Sequence, residues 1–115
     1  MKRGDIYLVN YEPVRGSEAN KARPSVIVSN DGANAAVARA GRGVVTVVPL
    51  TSNISRIYPF QVLLSGDESG LPKDSKAQCE QVRAVAEERL LRRIGAVPRR
   101  RLAEIDTALR RHLAL

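Results

Sequence analysis

The chain has 115 residues, 43% of them hydrophobic, and carries 19 Lys and Arg against 12 Asp and Glu, a formal net charge of +7. That length fits one compact domain, residues 1–115, and not two. The single cysteine, Cys79, excludes an internal disulfide, and one cysteine with one histidine, His112, excludes a zinc-ligand cluster, so no cofactor is expected. The start Met1-Lys2-Arg3-Gly4-Asp5 does not open a signal peptide, and the longest apolar run, residues 44–50, is too short to span a bilayer. The expectation is a soluble cytoplasmic protein whose basic balance suits an acidic partner, with nucleic acid, an anionic membrane and an acidic protein all open at this point.

In chain order, residues 6–9 read as a strand between Gly4-Asp5 and Asn10. A polar loop over 16–24 follows, with Arg23 held extended in front of Pro24. Pro24 is expected at the head of a second strand over 25–29, where its missing N–H is harmless. Asn30-Asp31-Gly32 reads as a turn or helix N-cap, and residues 33–39 as a short alanine-rich helix closed by Gly41 and Gly43. The β-branched run 44–50 predicts a buried strand. Pro49 is expected to end its ladder and deliver Thr51-Ser52-Asn53.

Residues 54–59 read as a loop, 60–64 as a strand and 65–75 as a long turn. Residues 76–85 are expected to be one extended strand, although Gln78, Glu80, Gln81 and Arg83 fit a dry core poorly. Either a charged edge strand or the wall of a polar groove accounts for them. Residues 87–92 can make a helical turn and 94–97 a last short strand. Pro98 opens the one clear helix, with Leu102, Ile105, Leu109 and Leu113 as its apolar stripe and Arg99-Arg100-Arg101 in its first turn. Only one crossover is long, so a small, strongly bent, mostly antiparallel sheet or barrel with attached helices is predicted.

Four segments in this order then line up: Arg3-Gly4-Asp5-Ile6-Tyr7; Gly16-Ser17-Glu18 with Lys21-Ala22-Arg23-Pro24; Val48-Pro49-Leu50-Thr51-Ser52; and Cys79-Glu80-Gln81-Val82-Arg83. Together with the terminal helix they resemble the MazF/PemK family of toxin endoribonucleases over nearly the whole chain. The resemblance implies an SH3-like barrel, a homodimer, and a cytosolic toxin neutralised by an acidic antitoxin. It also implies metal-independent cleavage of single-stranded RNA (mRNA, with rRNA and tRNA left open) at short sequences. The family's catalytic arginine falls on Arg23, its catalytic threonine on Thr51, and a loop glutamate important in some members on Glu18. In one branch a loop histidine and a strand pair Arg-x-Asp are assigned to catalysis. Those positions here carry Ser17, Gln78 and Glu80, so only the acidic member of that set remains.

The reaction expected of such a site is attack of a ribose 2′-hydroxyl on the adjacent phosphate, leaving a 2′,3′-cyclic phosphate and a 5′-hydroxyl. Arg23 suits the charge that gathers on the phosphate, because its planar fork donates two charge-assisted hydrogen bonds. The Thr51 and Ser52 hydroxyls suit orientation or donation. A general base is left open between Glu18, Glu80 and none. Aromatic residues are only 3% of the chain, so RNA reading falls to polar groups: Ser17, Lys21, Ser52, Asn53, Glu80, Gln81 and Arg83 are the candidates. Two other readings remain open from the sequence: a CcdB-like gyrase-directed toxin on the same fold, and a catalytically silent RNA-binding barrel.

Overall fold

The computed structural model describes residues 1–11 and 22–115; the expectations for Ser17, Glu18 and Lys21 lie outside the described residues. Among the described residues seven strands and three helices follow one another as β1 (Asp5–Asn10), β2 (Ala22–Ile27), α1 (Asp31–Ala40), β3 (Val44–Thr51), β4 (Gln61–Leu64), α2 (Gly66–Ser69), β5 (Ser75–Gln78), β6 (Arg83–Ala86), β7 (Leu90–Ala96) and α3 (Arg99–Leu113). The strands lie in the order β4-β5-β3-β2-β1-β7, with β6 also beside β3, and every pairing is antiparallel. The mostly antiparallel sheet with a C-terminal helix is the expected architecture. Among the described residues no ladder joins β4 to β7, so the sheet is open and not a closed barrel.

Alternation gives the sheet two apolar faces. One carries Ile6, Val26, Val48, Leu50, Val62, Leu64 and Ala77, and α3 closes it with Ile105 and Ala108, helped by Leu102 and Leu109. The expected helix stripe thus holds except at Leu113, which is 49% exposed. The opposite face carries a smaller cluster, Val9, Ile27, Val45, Val47 and Val85, with Tyr7, Tyr11, Val37 and Leu90 at its margin. β3 contributes to both clusters, as its β-branched run requires.

Both prolines act differently from expectation. Thr46 O faces β2, where it accepts from Val28 N at 2.9 Å. Backbone direction alternates along a strand, so Pro49 faces the other edge of β3 and has no N–H to give there. β3 therefore runs on to Thr51, but the segment along that edge must leave it. β5 pairs at Leu50↔Ala77 and Thr51↔Lys76, and β6 pairs from Val47↔Arg83 onwards. Between them a 3-10 turn, Cys79–Gln81, takes up the surplus chain. The single strand expected over 76–85 is thus two strands and a turn. Pro24 is not at the head of its strand but two residues inside it. By the same alternation it faces β3, and the β2–β3 ladder stops at Ser25↔Pro49. Two prolines hold the sheet open at one place.

The remaining departures are local. α1 starts at Asp31, capped by the Asn30 side chain, and ends on Gly41 at φ 68. The long turn expected over 65–75 contains α2, fixed by a capping box between Ser65 and Glu68. The helical turn expected over 87–92 is a 3-10 turn at Glu87–Arg89, after which β7 begins at Leu90. The segment Arg3-Gly4-Asp5 is a structural knot. Gly4, at φ +96, gives its N–H to Ile27 O at 2.8 Å, and Arg3 reaches Val28 O at 2.9 Å and Asp106 at 2.6 Å.

Candidate active site

Arg23 and Thr51 come from different strands, yet the register brings them to one row. The ladder runs Ile27↔Val47, Val26↔Val48, Ser25↔Pro49. Continued by two residues, it sets Arg23 opposite Thr51 with both on the face of the smaller cluster. Pro24 and Leu50, between them and the ladder, point to the opposite face, where with Leu71, Ser52 and Lys73 they line a depression of about 150 Å³. The interrupted hydrogen bonding leaves this row open to solvent: Arg23 is exposed and Thr51 half-buried.

Tyr11 follows β1 on the same face and gathers the arginines around it. Its hydroxyl is hydrogen-bonded to that of Ser25, which is fully buried. Its ring lies under Arg83, whose Cζ is 4.9 Å from the centroid. Burial holds the Tyr11 phenol above its ordinary value; the Ser25 hydrogen bond and the charges of Arg83 and Arg23 pull the other way. The sequence reading missed Tyr11 and Ser25. Period-2 alternation from Val9 would have put Tyr11 on this face, the one available signal.

Thr51 Oγ1 accepts from Asn53 N at 3.2 Å, and Asn53 Oδ1 in turn accepts from Ser55 N and Ser55 Oγ. This turn carries Ser52 and Asn53, both exposed, away from the strand end. Directly across β3 from Thr51 lies Lys76, a second residue the sequence reading missed. Its side chain is buried, and Nζ donates to Arg56 O at 2.7 Å while approaching the Tyr58 ring. Lys76 so fastens the loop after Thr51 onto the sheet.

Glu80 sits in the 3-10 turn Cys79–Gln81, which packs against α3 and β4. One carboxylate oxygen accepts from Gln61 Nε2 at 2.9 Å. The other, with Gln78 Oε1, is buried and has no partner among the described residues. Gln81 is exposed on the same turn, and Arg83 opens β6 opposite Val47. The structure therefore brings Arg23, Thr51 and Arg83 to the face of the smaller cluster, while Ser52 lines the depression beside Leu50 and Leu71, and Glu80 and Gln81 lie on the turn that packs against α3. Cys79 points into the principal core, and burial pushes its thiol up to about 12, with Glu80 adding to the effect, which makes it a poor nucleophile. His112 is exposed on α3, on the other side.

Ion pairs engage only part of the basic surface. Arg3 pairs with Asp106, Arg93 with Asp5, and Arg100 and Arg101 with Glu68, Arg101 also reaching Glu104. The triple arginine at the start of α3 thus meets an acidic partner within the chain at two of its three positions. Among the described residues Arg23, Arg56, Lys76 and Arg83 belong to no ion pair. A row of guanidiniums with hydroxyl donors and no carboxylate against them can bind and polarise an anion. Among the described residues no three His, Cys, Asp or Glu side chains converge as a metal site would need, and no helix is long and apolar enough to cross a membrane.

The family model described as PemK-like, MazF-like toxin of type II toxin-antitoxin system matches residues 2–113. Endoribonuclease MazF9 of Mycobacterium tuberculosis is 60% identical over 115 residues, 100% of this chain and 98% of that protein. Endoribonuclease MazF of Staphylococcus epidermidis is 33% identical over 110 residues, 95% of this chain and 88% of its own. Among solved structures, an endoribonuclease in complex with its cognate antitoxin from a mycobacterial species superposes with a TM-score of 0.77 at 25% identity, covering 100% of this chain and 96% of that one. A MazE-MazF structure from Deinococcus radiodurans gives a TM-score of 0.80 at 23% identity, covering 100% and 96%, a likeness of fold.

Proposed function

The chain belongs to the PemK-like, MazF-like toxins of type II toxin-antitoxin systems, and from that membership we infer that it is an endoribonuclease acting on single-stranded RNA. Residues 1–115 form one toxin domain that works in the cytoplasm, as a homodimer, and is silenced by an acidic antitoxin; the relatives solved with their antitoxins support this reading. Messenger RNA is the expected target. The gyrase-directed and silent-binding readings have no comparable support, since the relatives at 60% and 33% identity are both named endoribonucleases.

One observation carries the assignment of roles: the register that sets Arg23 opposite Thr51 where two prolines part the strands. Arg23 grips the phosphate and stabilises its developing charge as the 2′-hydroxyl attacks. The Thr51 hydroxyl donates to the same phosphate or orients the 2′-hydroxyl. Arg83, Ser52, Asn53 and Gln81 contact the flanking nucleotides, while Glu80, with one carboxylate oxygen held by Gln61 and the other buried, braces the turn that carries Gln81. Ser17, Glu18 and Lys21 join from the loop ahead of β2, with Glu18 a candidate base. No metal takes part, because the site supplies its own cations.

Purified protein in excess chelator should cut single-stranded RNA and leave a 2′,3′-cyclic phosphate. A 2′-deoxy substitution at the cut nucleotide should stop it. Cleavage that chelator abolishes and added magnesium restores would overturn the mechanism. No cleavage of any RNA would overturn the activity.

A further inference from the structure

Tyr11 makes two contacts that the proposed chemistry does not require. Its hydroxyl bonds to Ser25 Oγ, and Ser25 Oγ lies 3.5 Å from the carbonyl oxygen of Arg23. A serine hydroxyl has one proton. If Ser25 gives it to the Arg23 carbonyl, Tyr11 must be the donor to Ser25. The relay then runs from Tyr11 O–H to Ser25 O–H to the backbone of Arg23. This hold matters because the β2–β3 ladder ends at Ser25↔Pro49, leaving Arg23 backed only by β1, at Val9↔Arg23. The other contact is on the ring face, where the Arg83 guanidinium sits 4.9 Å from the centroid. The negative face of an aromatic ring attracts a guanidinium and confines it to a plane.

One side chain thus supports the backbone of one site arginine and the head group of another. Neither Arg23 nor Arg83 has a carboxylate partner among the described residues. Two unpaired guanidiniums repel each other in the free protein, so something must hold them near enough to share an anion. We propose that Tyr11, braced by the buried Ser25, is a positioning residue that seats Arg83 beside Arg23 as a two-arginine grip on the RNA phosphate backbone. The inference rests on the endoribonuclease reading. Tyr11 itself handles no proton of the reaction: its hydroxyl is engaged by a buried partner, and burial keeps the phenol protonated near neutrality.

The test uses the full chain, one RNA that it cuts, and the same RNA with deoxyribose at the cut nucleotide for binding. Tyr11→Phe keeps the ring and removes the brace, as does Ser25→Ala from the other end. Both should lower single-turnover kcat on the order of ten- to a hundredfold, the scale for a misplaced catalytic group, with KM within about twofold of the unmutated value. Tyr11→Leu also removes the ring. It should raise KM several-fold and flatten the dependence of log affinity on log salt by about 0.7, the share of one phosphate contact on a single strand. Arg83→Gln should change KM and the salt slope equally, and adding it to Tyr11→Leu should change neither further. Arg83 is exposed, so its variant reports even if Tyr11→Leu does not fold. An unchanged salt slope in Arg83→Gln, or normal kcat in both Tyr11→Phe and Ser25→Ala, overturns the proposal while cleavage by the unmutated protein stands. Absence of cleavage by the unmutated protein instead overturns the reading on which it rests.

Discussion

Replacing Thr51 by valine removes one hydroxyl and keeps the β-branched shape. In the structure Thr51 Oγ1 accepts from Asn53 N at 3.2 Å, and among the described residues its proton has no acceptor. The oxygen is thus fixed by the protein while the proton is free for a substrate. Losing the bond to Asn53 at a half-exposed position costs at most about 0.5–1.5 kcal/mol of stability. Losing a preorganised donor to the phosphate costs on the order of a hundred- to a thousandfold in rate, about 2.7–4 kcal/mol. The rate effect exceeds the stability effect, so Thr51→Val should stay folded and become nearly inactive. Thr51→Ser keeps both the acceptor and the proton and should stay within about tenfold, since the donor of the oxyanion term remains. Single-turnover cleavage in chelator, with urea unfolding of each variant, separates the terms. Combined with Arg23→Ala, the loss should be smaller than the product of the single losses, because groups acting on one phosphate act as a unit. Near-normal cleavage by Thr51→Val would refute the hydroxyl's role. A Thr51→Ser variant as inactive as Thr51→Val would show that the methyl group, through packing, was what mattered.

Two further outcomes concern the scaffold. A Cβ on Gly95 in β7 would lie 2.3 Å from Ser69 O, a backbone atom, so Gly95→Ala should destabilise the protein by about 1–3 kcal/mol or more in chemical unfolding, the cost of overpacking. The Glu68 carboxyl is held below its usual value of 4.5, first by the Ser65 backbone N–H and then by Arg101. A depressed folded value means that its stabilisation is complete above 4.5, declines as pH falls below that, and is gone once pH has passed through the lower folded value. Unfolding of the unmutated protein and of Glu68→Gln, followed from pH 7 downwards, should therefore differ most at neutral pH and converge in acid; a constant gap would contradict the linkage.

Much of the fold was legible because local signals agreed with the packing. The β-branched run of β3, the cap at Asn30, the glycine at Gly41 and the Leu102–Ile105–Leu109 spacing each specify one structure. The prolines were legible as breaks but not as directional ones. Whether Pro24 or Pro49 ends a strand or only one of its two ladders depends on which neighbour each backbone position faces, and that is a property of the assembled sheet. The same limit explains the polar segment 76–85. Its polar residues marked it as unlike a core strand, but the turn at Cys79–Gln81 arises because β3 offers no donor at Pro49. At the candidate site, resemblance singled out Arg23 and Thr51, while Tyr11, Ser25 and Lys76 went unseen. Their roles rest on contacts between strands far apart in sequence, which periodicity within one strand does not reveal. The open sheet belongs to the same class: closure depends on β4 and β7 meeting, not on either strand's composition.

The net charge of +7 acquires meaning only once it is divided. Arg3, Arg93, Arg100 and Arg101 have carboxylate partners and tie α3 and the ends of β1, β7 and α2 together. These pairs are partly exposed and individually weak, so their importance lies in orientation more than in stability. Arg23, Arg56, Lys76 and Arg83 have no such partner among the described residues, nor do Arg99, Arg110 and Arg111 on α3. The larger apolar cluster also lies under α3, so stability is concentrated on that side. The smaller cluster needs only to hold the strands flat enough to set Arg23, Thr51 and Tyr11 in place. A sheet secured from one face can leave the other basic, hydroxyl-lined and interrupted by prolines, conditions that oppose folding when alone but suit a polyanion. The unpaired charges that would destabilise a closed core are the ones an RNA phosphate or an acidic antitoxin would neutralise, and two such partners would compete for one surface.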